Sequence, residues 1–146
     1  MPIGELHNKI KELLDTYTGG EQYFDALDNY IRNSQIPIYL YNTVKYLYPN
    51  HKIIASGKFA QVIPCDIKVQ GAIRKGNKIN LNHNEVHSQN FIFIDDSFYS
   101  GKTAFSIQRE IEKLGGKLHK IFVVYNGCKY KNDKVISLFN YYENNY

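Results

Sequence analysis

The sequence is short of three things, and each shortage narrows what the protein can be: cysteine, long apolar runs and net charge. A membrane-spanning helix takes about 20 consecutive, mostly apolar residues, and no stretch here approaches that. The N-terminal MPIGELHNKIKELL lacks the apolar core of a signal peptide, so neither membrane insertion nor export is expected. Cys65 and Cys128 are far apart and in no metal-ligand spacing, which makes reduced thiols in the cytoplasm the default reading. The net charge of +4 is mildly basic; it suits small anionic ligands and is too weak to argue for nucleic acid as a partner. No repeat and no linker breaks the chain, and its 146 residues suffice for one domain with a sizeable core.

What is present centres on Phe91 to Thr103, FIFIDDSFYSGKT. The run Phe91-Ile92-Phe93-Ile94 mixes β-branched and aromatic residues without a polar break, the pattern of a strand buried on both faces. Asp95 and Asp96 follow, then a short loop ending Ser100-Gly101-Lys102-Thr103, and from Ala104 the apolar residues Ile107, Ile111 and Leu114 recur at helical spacing. Backbone N–H groups of a glycine-containing loop at a helix N-terminus bind phosphate, and Ser100 and Thr103 add hydroxyl donors. The two carboxylates stand one loop away, placed to accept hydrogen bonds from sugar hydroxyls. A ligand with a phosphate at one end and a diol a ribose-width away fits this order. The Walker A loop shares the Ser-Gly-Lys-Thr letters, but it needs glycine five residues before Gly101, where this chain has Asp96, an acid that would repel a triphosphate. A buried strand, a turn acid and a helix cap would use similar residue types without any ligand.

The flanking chain reads as an α/β domain. Leu6, Ile10, Leu13, Leu14 and Tyr17 line one helical face, ended by Thr18-Gly19-Gly20; Tyr23, Phe24, Leu27, Tyr30 and Ile31 line a second, broken by Asn33-Ser34-Gln35 and Pro37. A third helix is expected near Tyr41 to Tyr48. Lys52 to Ala55 reads as a short buried strand running into Ser56-Gly57-Lys58, an anion-friendly loop or a plain corner. At most a turn or two of helix fits between Ala60 and Pro64, and Asp66 to Ile73 alternates as a strand ending in the basic segment Ile73-Arg74-Lys75-Gly76-Asn77-Lys78. Asn80 to Asn90 is a polar loop. His83 and His87 within it miss the zincin pattern, because Glu85 stands one place too far along. Thr103 to Leu114 should be a helix capped by Gly115-Gly116, and Leu118 to Tyr125 a strand completing a βαβ unit. Residues 127–146 read as a tail with one apolar run, Val135 to Phe139.

The central stretch resembles the 5-phosphoribosyl-1-diphosphate (PRPP) signature of the type I phosphoribosyltransferases: four apolar residues, two acids, four variable residues, then Gly-x-Thr. The resemblance covers Lys52 to about Tyr125 and implies a mainly parallel sheet with helices on both faces, an N-terminal helical layer, and a ligand at the carboxyl ends of the strands. It divides a single domain into a helical region or hood (1–50), a core sheet with the PRPP site (51–126) and the tail. It implies that Asp95 and Asp96 hold the ribose hydroxyls and reach Mg²⁺, and that Tyr99, Ser100, Gly101, Lys102 and Thr103 hold the 5′-phosphate. Ser56, Gly57 and Lys58 take the place of the pyrophosphate loop. Arg74, Lys75 and Lys78 resemble the Arg-Lys-x-x-Lys segment of adenine and orotate phosphoribosyltransferases, where cations neutralise the leaving diphosphate; an exposed basic hairpin is the alternative.

The implied function is transfer of a phosphoribosyl group from PRPP, with Mg²⁺, to a nitrogen nucleophile, most simply a nucleobase, in a cytoplasmic enzyme of a commonly dimeric family. The other function open to the same site is regulatory binding of PRPP or a nucleotide without transfer. Tyr99 stands where many 6-oxopurine transferases have Asp, and is similar to the Tyr-Thr-Gly-x-Thr form of the pyrimidine attenuator family. A phenol with an ordinary pKa near 10 is a poor base at neutral pH.

Overall fold

In a computed structural model, which describes residues 2–16, 21–70 and 78–140, the uninterrupted apolar run becomes the middle of a sheet. The strands are β1 (Lys52–Ser56), β2 (Ile67–Val69), β3 (Asn90–Phe98), β4 (Lys117–Asn126) and β5 (Val135–Asn140), ordered β2-β1-β3-β4-β5, and every pairing is parallel. β3 alternates its apolar side chains between two cores, Ile92 and Ile94 to one face, Phe91 and Phe93 to the other. That two-sided burial is why its sequence shows no polar alternation.

Helices α1 (Pro2–Thr16), α2 (Glu21–Arg32) and α3 (Ile36–Leu47) cover the Ile92/Ile94 face. Each does so with a stripe at helical spacing: Leu6, Ile10 and Leu13; Tyr23, Leu27 and Ile31; Ile36, Leu40 and Val44, all at most 6% exposed. Truncating any of these to alanine removes contacts worth about 2–5 kcal/mol. Helix α5 (Lys102–Lys113) covers the other face with Ala104, Ile107 and Ile111. The short helix α4 (His83–Val86) adds Val86 to that core. The architecture is therefore the expected one, helices on both faces of a parallel sheet with an N-terminal helical layer. Among the described residues no helix is long and apolar enough to cross a membrane.

Three expectations need correcting. Pro37 does not break the second helix but lies in the first turn of α3, where its missing N–H has no partner to lose and its fixed φ suits the helix. Asn80 to Asn90 is not wholly loop, because Asn82 caps α4 by accepting the Asn84 N–H at 2.9 Å. The core sheet does not stop at residue 126: Val135–Asn140 is its fifth strand, reached by an eight-residue connection, 127–134. Of the strand expected from Asp66 to Ile73, Ile67–Val69 is observed, and residues 71–77 lie outside the described residues.

The strand order reverses direction between β1 and β3. In open parallel sheets ligands bind at such a switch point, beyond the carboxyl ends of the two strands. Here β1 ends at Ser56 and runs into Gly57-Lys58, and β3 holds Asp95-Asp96 in its last part, before Ser97-Phe98.

Candidate functional site

The loop after β3 curls back on itself before α5 begins. Gly101 sits at φ +80°, a left-handed conformation, and is the N-cap of α5. A glycine N-cap brings no side chain, so no capping side chain at that position takes up the first-turn amides of this 12-residue helix. Such an end attracts anions through its N–H groups and the helix dipole. Phe93, Asp95, Ser97, Ser100, Gly101 and Thr103 help to line a cavity of about 20 Å³ in front of it. That is room for one water, so a phosphate would sit at the mouth, on the Ser100 to Thr103 side. The Ser100 hydroxyl already accepts the Lys102 N–H at 3.3 Å, holding the mouth in shape.

The two acids divide between the faces of the sheet. Asp95 continues the Phe93 side and lines the cavity. Its Oδ1 accepts the Asp96 N–H at 2.8 Å. Burial holds its carboxyl well above the usual carboxylate range, and the neighbouring Asp96 charge raises it further. Asp96 turns toward the helical layer, where its Oδ2 accepts from Arg32 Nη1 at 2.9 Å.

The Tyr99 side chain packs against the core on the helical-layer face. Its ring packs edge-on to Phe24 at 4.7 Å between centroids, and its hydroxyl accepts from the Tyr125 hydroxyl at 2.6 Å. Burial, then the Asp28 charge, push the Tyr99 phenol far above its ordinary value, so it stays neutral. Gly127 is glycine for this ring: a Cβ there would lie 2.6 Å from Tyr99.

The remaining sequence candidates are less gathered. Ser56 is buried at the end of β1, and Lys58 is exposed. Gly57, at φ +60°, donates its N–H to the Val69 carbonyl at 3.0 Å, so that amide is already committed to β2. Lys78 is exposed, and Arg74 and Lys75 lie outside the described residues. His83 and His87 stack at 4.8 Å between centroids, and among the described residues no three metal-ligating side chains cluster.

Two features escaped the sequence. Arg32 ends an amphipathic helix, an ordinary place for a cation, and nothing in the pattern points it at Asp96. An open groove of about 460 Å³ is lined by the connection after β4, from Cys128 to Asp133, and by β5 from Val135 to Asn140, and it reaches Asn126 at the carboxyl end of β4. It adjoins the cradle, because Phe98 pairs with Asn126 and its carbonyl accepts the Gly127 N–H at 2.8 Å.

No protein-family model and no curated protein matches this sequence. Solved structures do match in fold. An orotate phosphoribosyltransferase of Mycobacterium tuberculosis H37Rv, in complex with inorganic phosphate, is similar over 79% of this chain and 76% of its own, with a TM-score of 0.52 and 13% identity. The adenine phosphoribosyltransferase of Thermoanaerobacter pseudethanolicus ATCC 33223 is similar over 75% of this chain and 83% of its own, with a TM-score of 0.50 and 15% identity. The parallel sheet, the helices on its two faces and the N-terminal helical layer together have the fold of the type I phosphoribosyltransferases.

Proposed function

We propose that this protein binds PRPP at the carboxyl ends of β1 and β3 and transfers its phosphoribosyl group to a nitrogen nucleophile, a nucleobase in the simplest case. One observation carries the reading: the glycine-capped N-terminus of α5 and the Ser100–Thr103 loop form an anion cradle separated by three residues from the acids in the last part of β3. The 5′-phosphate takes the cradle and the ribose hydroxyls lie over Asp95 and Asp96. Lys58, Lys78, Arg74 and Lys75 are the cations assigned to the diphosphate. The similar orotate enzyme carries inorganic phosphate, the group assigned here to the cradle. The groove beyond Asn126 is roomy enough for a planar base beside the sugar.

Chemistry at such a site is mostly positioning plus charge stabilisation, since the breaking bond leaves an oxocarbenium-like sugar and a diphosphate. Magnesium prefers oxygen ligands, and Asp95 and Asp96 supply carboxylate oxygens. One of these accepts the Asp96 N–H and one accepts Arg32, so the acids suit contact through water, with the ligand's own oxygens completing the shell. Bound magnesium would neutralise the diphosphate as it leaves.

The second reading, a PRPP- or nucleotide-binding regulator, is favoured by the Arg32 ion pair on Asp96 and by the water-sized cavity. Both readings predict binding of PRPP with Mg²⁺. Diphosphate release on adding members of a base panel supports transfer. Saturable PRPP binding with no release for any base supports the regulator, and no PRPP binding at all overturns both.

A further inference from the structure

We propose that Arg32 is a positioning residue of the ribose site, one that α2 delivers to Asp96 so that this carboxylate is presented to the sugar diol. The inference rests on the reading of Asp96 as a ribose-binding acid. Arg32 and Asp96 are 64 positions apart in sequence, and their side chains are only 19% and 10% exposed. The ion pairs Lys9–Glu12 and Lys113–Glu110, by contrast, are i,i+3 contacts along single helices. A charge as buried as Asp96 needs a counter-charge, and Arg32 supplies it from the helical layer.

The form of the contact matters more than its presence. A purely structural arginine–carboxylate pair gains most from two parallel hydrogen bonds. Arg32 instead makes one short bond, Nη1 to Oδ2 at 2.9 Å. The Ser97 hydroxyl lies 3.5 Å from Oδ1, beyond the usual range for such a bond. An ionised carboxylate has about four lone-pair positions, so Asp96 is oriented by Arg32 without being saturated by it. It lies two residues before the end of β3, next in sequence to the acid that lines the cradle. This makes the carboxyl end of α2 part of the binding site.

The test is calorimetric titration of the parent, Arg32→Gln and Arg32→Lys with ribose 5-phosphate, 2-deoxyribose 5-phosphate and inorganic phosphate. A folded cradle binds inorganic phosphate whatever happens at Asp96, so that probe separates positioning from folding. The parent is expected to prefer ribose 5-phosphate over its 2-deoxy analogue. Arg32→Gln should lose about tenfold or more for ribose 5-phosphate, reduce that preference, and leave the inorganic phosphate affinity within about twofold. Arg32→Lys keeps the charge and loses the planar fork, so it should show the same pattern in smaller measure; it carries the test if Arg32→Gln does not fold. Equal losses for all three probes, no loss, or tighter ribose 5-phosphate binding in the variants would each overturn the proposal. The last outcome would make Arg32 a latch that the sugar displaces. A parent that binds inorganic phosphate but not ribose 5-phosphate would overturn the ribose reading itself, and this inference with it.

Discussion

Gly101 is constrained from two sides at once. Its amide belongs to the turn that faces the cradle, and its φ of +80° is costly for any residue with a Cβ. On its other side a Cβ would lie 2.4 Å from Phe105 and 2.9 Å from Phe98. The sequence argues only for the first constraint, close approach of backbone to phosphate, because the packing of Phe105 over the turn depends on α5 completing its first turn. Gly101→Ala should therefore destabilise the fold as well as weaken phosphate binding. The left-handed backbone costs about 1–2 kcal/mol, and displacing the two rings adds about 1–3 kcal/mol. Urea unfolding monitored by circular dichroism checks this, and an unchanged midpoint would show that the loop is not held as described. Tyr99 carries the opposite lesson. Its position in the motif suggests a ligand contact, whereas its hydroxyl is taken up by Tyr125 and its ring by Phe24.

Among the elements, those with one dominant signal were legible. β3 announced itself by four apolar residues in a row, and α5 by Ile107 and Ile111 at one-turn spacing. β5 did not: its apolar run, Val135 to Phe139, is interrupted by Ser137 and its burial is mixed, so it shows neither the unbroken run of β3 nor clean alternation. The contact between His51, just before β1, and His119 of β4 was equally unreadable, since the two are 68 positions apart. Their ring nitrogens, Nε2 and Nδ1, lie 3.0 Å apart, and Tyr48 packs edge-on against both rings. One nitrogen must donate and the other accept. Burial, then His119, hold His51 below its ordinary value. Its contribution to stability is therefore present above about pH 6.5, where the unfolded histidine is neutral, and is lost as pH falls below that, because the unfolded chain takes up the proton first. Melting temperatures of the parent and His51→Gln between pH 5 and 8 test the sign. The parent should lose ground to the variant as pH falls, and parallel curves would contradict it.

For the whole molecule, the fold class followed from one motif, because a strand, two acids and a glycine-capped helix allow few arrangements in a parallel sheet, and the same motif points to the candidate site. What stayed hidden depends on contacts between distant segments: Arg32 reaching Asp96, and the groove formed where the 127–134 connection returns to the sheet. The central claim is that the α5 cradle takes a sugar phosphate, with the acids of β3 beside its ribose. The most direct measurement is a titration of ¹⁵N-labelled protein with ribose 5-phosphate, followed by amide chemical shifts. The account predicts that the amides of Asp95 to Ser97 and of Ser100 to Thr103 move together and saturate at one ligand concentration. Shifts confined to Asn126 to Asp133, or no saturable shift at Gly101 and Lys102, would contradict it.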